Sequence, residues 1–135
     1  MKLLVDINAL LDVLLQREPW ADSAAQLLTR IERGEASGFV AGHTLTTVHY
    51  IVSRARDRQS ADAAVTDLLR FLEVVAVEKA DFNQALVLPI DDFEDAVQGA
   101  AALKIGADYV VSRDEAGFRG LSIPSVNPGE ILSLL

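Results

Sequence analysis

The chain contains no cysteine, so disulfides and thiolate metal sites are excluded, and any metal must be held by oxygen or imidazole ligands. Basic residues are also scarce. Twelve Lys and Arg stand against 20 Asp and Glu, and the net charge of −8 argues against broad electrostatic binding of nucleic acid, while leaving room for a local basic groove. No apolar run approaches the roughly 18–20 residues that a membrane span needs. The apolar start Met1–Val5 is interrupted by Asp6 and Asp12 before a signal-peptide core can form. A soluble cytoplasmic protein without membrane association is therefore expected. There is no Gly-rich phosphate loop, which leaves nucleoside triphosphate binding unsupported, and no internal repeat, low-complexity tract or linker.

What is present is a steady supply of aliphatic residues over a length that suits one domain, 1–135, able to bury about two thirds of its unfolded surface. Lys2–Val5 has the pattern of a buried strand ending at Asp6, followed by a helix over Asn8–Gln16 with Leu10, Leu11, Leu14 and Leu15 on one stripe. Pro19 suits the first turn of a second helix running to Arg33 and stopped by Gly34. Gly38–Ala41 reads as a strand, His43–Arg56 as a helix, and Ser60 as the N-cap of a helix through Leu72. Val74–Val77 predicts a third strand, and Asp81–Leu88 a short helix ended by Pro89. Phe93–Ile105 predicts an Ala-rich helix closed by Gly106, and Tyr109–Val111 a fourth strand. Ile123–Val126 completes a fifth, and Asn127-Pro128-Gly129-Glu130 carries an N-cap, an N1 proline and a capping-box acid for a last helix. Strands alternating with helices predict an α/β fold, a parallel sheet with helices on both faces.

Three aspartates occupy telling places in that order. Asp6 closes the first strand, Asp95 lies at the start of the Ala-rich helix, and Asp114 follows the fourth strand. In a parallel sheet, chemistry gathers at the carboxyl ends of the strands, so these acids can converge. Converging carboxylates repel one another and suit hard cations such as Mg²⁺ or Mn²⁺, which points to a metal-dependent enzyme acting on a phosphate ester. Each acid also has a purely local reading: Asp6 and Asp92 as N-caps, Asp95 as a first-turn acid favoured by the helix dipole, and Asp114 as a turn residue before Gly117. Arg54, Arg56 and Arg58 lie close together, while Lys104, Arg113 and Arg119 flank the late acids, either as a cationic rim or as scattered solvated charges.

The motifs Asp6-Ile7-Asn8, Asp91-Asp92-Phe93-Glu94-Asp95-Ala96 and Ser112-Arg113-Asp114, with Phe118 four residues on, together resemble the PIN domain nucleases, in particular the VapC-type toxin branch. The resemblance runs from Leu3 to about Glu130. It implies a small α/β/α domain with a central parallel sheet, a homodimer, and an acidic site that binds Mg²⁺ or Mn²⁺ and hydrolyses RNA. By position it makes Asp6, Asp95 and Asp114 the catalytic, metal-binding acids. Asn8 matches the polar residue that orients the first acid, and Ser112 the hydroxyl two places before the last. An antitoxin protein is the partner it implies, and RNA the substrate.

One position departs from the pattern. Many family members carry a glutamate on the helix after the second strand, where this chain has Thr47, and Asp92 and Glu94 are the acids that could compensate. The alternatives are a PIN-fold module that binds RNA or protein with little catalysis, and a phosphoaspartyl enzyme using Asp6. Against the second, Asn8 replaces the second acid of the usual Asp-x-Asp arrangement. His43 and His49 lack an accompanying nucleophile and read as solvated or locally hydrogen-bonded; Trp20 and Phe39 read as packing groups. Leu27, Leu28 and Ile31, with Val48, Ile51 and Val52, offer a second reading beside core packing, an apolar face for self-association.

Overall fold

The computed structural model describes residues 1–135. The elements are β1 (Lys2–Val5), α1 (Ile7–Leu14), α2 (Ala21–Glu32), β2 (Ser37–Ala41), α3 (Gly42–Ala55), α4 (Arg58–Phe71), β3 (Glu73–Val75), α5 (Lys79–Val87), α6 (Phe93–Ile105), β4 (Tyr109–Val111), β5 (Ser125–Val126) and α7 (Pro128–Leu132), with a 3₁₀ turn at Glu115–Phe118. The five strands form one sheet in the order β3-β2-β1-β4-β5, and every pairing is parallel. β1 lies in the middle. Leu3 pairs with Gly38 on one side and Tyr109 on the other, so the chain's first strand is flanked by strands from both halves.

The alternation of β1 divides the core in two. Leu3 and Val5 face a cluster with Leu10, Leu27, Val48 and Leu68 from α1–α4, whereas Leu4 faces the opposite side with Val75, Val97 and Val110 beneath α5 and α6. This is the period-2 signature of a central strand covered on both faces. α6 carries small residues, Ala96, Gly99, Ala100, Ala101 and Ala102, all within its buried face, and they let the helix lie close on the sheet. At Gly99 an added Cβ would stand 3.0 Å from Ile90 Cδ1. Gly106, at φ 62°, ends that helix in the left-handed conformation that glycine adopts without a Cβ penalty.

Several element ends differ from the sequence expectation for local reasons. Asp57, not Ser60, caps α4, because its carboxylate accepts the Ser60 N–H at 2.7 Å and places Ser60 inside the first turn. α5 begins before Asp81, whose carboxylate reaches back to the Glu78 N–H at 2.8 Å. α2 begins at Ala21, because a turn from Arg17, whose carbonyl accepts from both Trp20 and Ala21, takes up the segment containing Pro19. β5 is only two residues long, since Pro124 has no N–H to extend a ladder. Leu27, Leu28, Ile31, Val48 and Val52 are buried, so that stripe belongs to the core and is not a surface face. No helix is long and apolar enough to cross a membrane.

Candidate active site

Asp6 directly follows β1, and its backbone N–H donates to Val111 O at 3.0 Å, which fixes it at the carboxyl end of the two central strands. Its side chain caps α1 by accepting the Asn8 N–H at 3.4 Å. Only 1 % of the residue is exposed, and two more contacts hold the carboxylate: Ser112 Oγ donates to Oδ2 at 3.0 Å, and Gln98 Nε2 donates to Oδ1 at 2.9 Å. Burial pushes the Asp6 pKa up, and the hydrogen bonds from Gln98, Ser112 and the Asn8 backbone oppose that rise. The expected role of Asn8 is thus carried by its backbone. Its side chain turns to Arg17, whose Nη1 donates to Asn8 Oδ1 at 3.5 Å.

Asp95 comes from α6. Asp92 is the N-cap of that helix and accepts the Asp95 N–H at 2.9 Å, which sets Asp95 in the first turn with its side chain toward Asp6. Gln98, one turn on, donates the same Nε2 to Asp95 Oδ1 at 3.3 Å and so bridges the two acids. Desolvation by burial, then repulsion from Asp6, Asp92, Asp114 and Glu94, raises the Asp95 pKa to about 7. Asp114 enters after β4. Its N–H donates to Ser112 Oγ at 3.0 Å, and its carboxylate accepts the Gly117 N–H at 3.2 Å in capping the 3₁₀ turn. Ser112 therefore ties the Asp6 carboxylate to the Asp114 backbone. Asp6 and Asp114 thus cap local turns while standing at the carboxyl edge of the sheet.

Asp92, Asp95 and Asp114 line a cleft of about 420 Å³ together with Gly117 and Arg119, and Asp6 lies buried at the inner side of Asp95. No Lys, Arg or His nitrogen forms an ion pair with Asp6, Asp92, Asp95 or Asp114. Uncompensated carboxylate oxygens are the donor set that hard divalent cations prefer. As arranged, no three of the acidic or imidazole side chains close around one point.

The expected cationic rim reduces to Arg119. Lys104 is spent at the other end of α6 on Glu78 and Asp81, each at 2.9 Å, and Arg113 on the buried Asp12 at 2.8 and 3.4 Å. Thr47 does not line the acid cleft; its Oγ1 donates to His43 O at 3.4 Å within α3. His43 is hydrogen-bonded, but to another helix, its Nε2 lying 3.2 Å from Glu94 O, so α3 begins beside the start of α6. His49 pairs with Asp62 at 2.7 Å on the surface. Phe39 packs against the core as expected, whereas Trp20 is 41 % exposed with the Arg113 guanidinium 3.8 Å above its ring. Gln98 was not a candidate from sequence. Its place one turn after Asp95, polar on a buried alanine face, is the signal that could have marked it.

Known proteins share this fold. Ribonuclease VapC1 of Aquifex aeolicus is 24 % identical over 120 residues, covering 85 % of this chain and 83 % of that protein. The structure of VapBC2 from Rickettsia felis bound to a DNA fragment from its promoter superposes with a TM-score of 0.73 at 15 % identity, over 94 % of this chain and 98 % of that one. That of Mycobacterium tuberculosis VapC20, a sarcin-ricin loop cleaving toxin, gives 0.66 at 17 %, over 80 % and 86 %. The PIN domain model matches residues 2–116, and with the parallel sheet and the acids at its carboxyl edge this chain is a member of the PIN domain family.

Proposed function

We propose that this chain is a divalent-metal-dependent endoribonuclease that hydrolyses RNA phosphodiester bonds, and that it acts in the cytoplasm as the toxin of a toxin–antitoxin pair. The observation that carries the reading is the buried Asp6 bridged by Gln98 to Asp95, which with Asp114 lines a cleft whose acids have no ion-pair partners. Asp6, Asp95 and Asp114 would hold the ion. Because they do not close around one point, part of the coordination would run through water, as Mg²⁺ generally prefers. A bound Mg²⁺ or Mn²⁺ supplies Lewis-acid activation of water and neutralises charge on the phosphodiester. The protein's own part is positioning. Gln98 and Ser112 fix Asp6, Asp92 fixes the first turn that carries Asp95, and Arg119 offers a cation to the incoming phosphate from the cleft wall.

Asp114, the exposed member of the three, would take the proton of the attacking water. Water as nucleophile leaves 5′-phosphate and 3′-hydroxyl ends, whereas attack by a 2′-hydroxyl leaves a cyclic phosphate. The test is incubation with RNA and Mn²⁺ or Mg²⁺, with and without chelator, followed by end analysis. Metal-dependent cleavage that is lost in Asp95→Asn and leaves 5′-phosphate ends supports the reading. Absence of cleavage with either metal favours the alternative, a PIN-fold binding module.

The antitoxin assignment draws on the VapB-containing relative and on an open apolar cleft lined by the partly buried Val13, Leu14, Ala25 and Phe71, suited to an apolar segment of a partner. A homodimer draws on α5, where Leu86 and Val87 are 69 % and 77 % exposed. Light scattering of the chain alone and with the product of a neighbouring reading frame tests both.

A further inference from the structure

A second cavity, about 200 Å³, is lined by Asp12, Trp20, Arg113 and Asn127. Arg113 immediately precedes Asp114, so the two residues' Cα atoms stand about 3.8 Å apart, and the acid cleft and this cavity flank one stretch of backbone. The two cavities share no lining residue, but this adjacency puts them within reach of neighbouring nucleotides of one strand.

The cavity is built for planar, anionic matter. The guanidinium of Arg113 lies 3.8 Å above the indole of Trp20, and the residue nevertheless remains 41 % exposed. Arg113 is immobilised from behind by two bonds to Asp12, which is itself buried. Arg17 approaches the same carboxylate at 3.7 Å. Two guanidiniums thus share one carboxylate, which leaves one positive charge in a chain whose net charge is −8. An exposed tryptophan with a fixed arginine is a stacking surface for an unpaired base, and the residual charge attracts the phosphate that accompanies it.

We propose that Trp20 and Arg113, backed by Arg17, form a subsite for one unpaired RNA nucleotide next to the bond to be cleaved, its base on the exposed surface of the Trp20–Arg113 stack. The assignment rests on the ribonuclease reading and deepens it: the substrate must be single-stranded, or carry a base turned out of a helix, at that position.

Trp20 is the only tryptophan, so its fluorescence reports on this cavity alone. A short single-stranded RNA added to the Asp95→Asn protein without metal is expected to quench it in a saturable way. Moving one abasic nucleotide along the oligonucleotide should weaken binding about 5- to 100-fold at a single position. In the cleaving protein with Mn²⁺, Trp20→Leu should raise KM more than it lowers kcat, and Trp20→Phe should recover most of the loss. Saturable binding with no change in Trp20 fluorescence, or an equal response to the abasic nucleotide at every position, would overturn the subsite, because the unsubstituted Trp20 is present in both measurements. The ribonuclease reading fails separately, through absence of metal-dependent cleavage. Quenching by a partner protein but not by RNA would also overturn the proposal and reassign the surface to protein contact.

Discussion

Gln98 reaches across 92 residues of sequence to donate to Asp6 Oδ1 at 2.9 Å, and its Oε1 accepts the Ile7 N–H at 3.2 Å. One amide thereby serves both a buried carboxylate and a helix-start N–H. Gln98→Leu keeps the bulk of the side chain and removes these two bonds together with the one to Asp95. Since an unpaired buried polar group costs about 1–3 kcal/mol, the variant should lose about 2–3 kcal/mol in urea unfolding. A loss below about 0.5 kcal/mol would show that Asp6 finds other partners.

The pKa of Asp95, about 7 in the folded protein, lies above the ordinary 3.8. A carboxyl whose folded pKa is raised favours the folded state while it is protonated, so stability falls as pH rises from about 4 to about 7 and stays reduced above that. Asp6, raised by burial, acts in the same direction. Without metal, Asp95→Asn should be more stable than the parent at pH 8 by about 1–2 kcal/mol, discounted for the partial exposure of the group. The two proteins should converge near pH 4. Comparing parent with variant cancels carboxylates elsewhere, and melts across pH that remain parallel would refute the assignment. Saturating Mn²⁺ should close the gap from the parent's side, because it binds only the folded site.

Gly117 faces the carboxylates closely. A Cβ there would lie 2.9 Å from Asp114 Oδ2 and 3.4 Å from Asp95 Oδ2. Those oxygens end flexible side chains, so Gly117→Ala should change stability by under about 1 kcal/mol while displacing Asp114. RNA cleavage should fall about tenfold or more, since small misplacements at a reacting centre are costly. Unchanged cleavage would remove Asp114 from the catalytic set.

Thr47→Glu tests the position where many relatives carry an acid. If the new carboxylate reaches the cluster, it adds negative charge, lowers metal-free stability and steepens the gain in Tm across a Mn²⁺ titration. Equal Mn²⁺ responses in variant and parent would place residue 47 outside the metal's reach.

The strands, the helix order and the three acids were legible because each depends on neighbours in sequence: β-branched runs, an Ala-rich helix, and aspartates at the first turns of helices. The rest depends on partners that are remote. Gln98 acquires its meaning from Asp6 and Ile7, and Arg113 from Asp12 and Trp20 across some 90 to 100 positions, so local pattern could not reveal that Trp20 is exposed and stacked. Ser60 is not the cap because Asp57, three residues earlier, starts the helix sooner by accepting the Ser60 N–H with a charged carboxylate. The stripe through Leu27 and Val48 was ambiguous because helical periodicity marks an apolar face without saying what covers it.

The central position of β1 has a consequence for the chain as it is made. Its neighbour β4 begins at Tyr109, and Asp95 and Asp114 also come from the last third of the sequence. When the first half has left the ribosome, Asp6 has neither Gln98 nor Ser112 to hold it, and one edge of β1 has no strand to pair with. A prematurely terminated product therefore carries no assembled acid site. Under the proposed role, cleavage activity would begin only once Ser112 and Asp114 have joined Asp6 and Asp95.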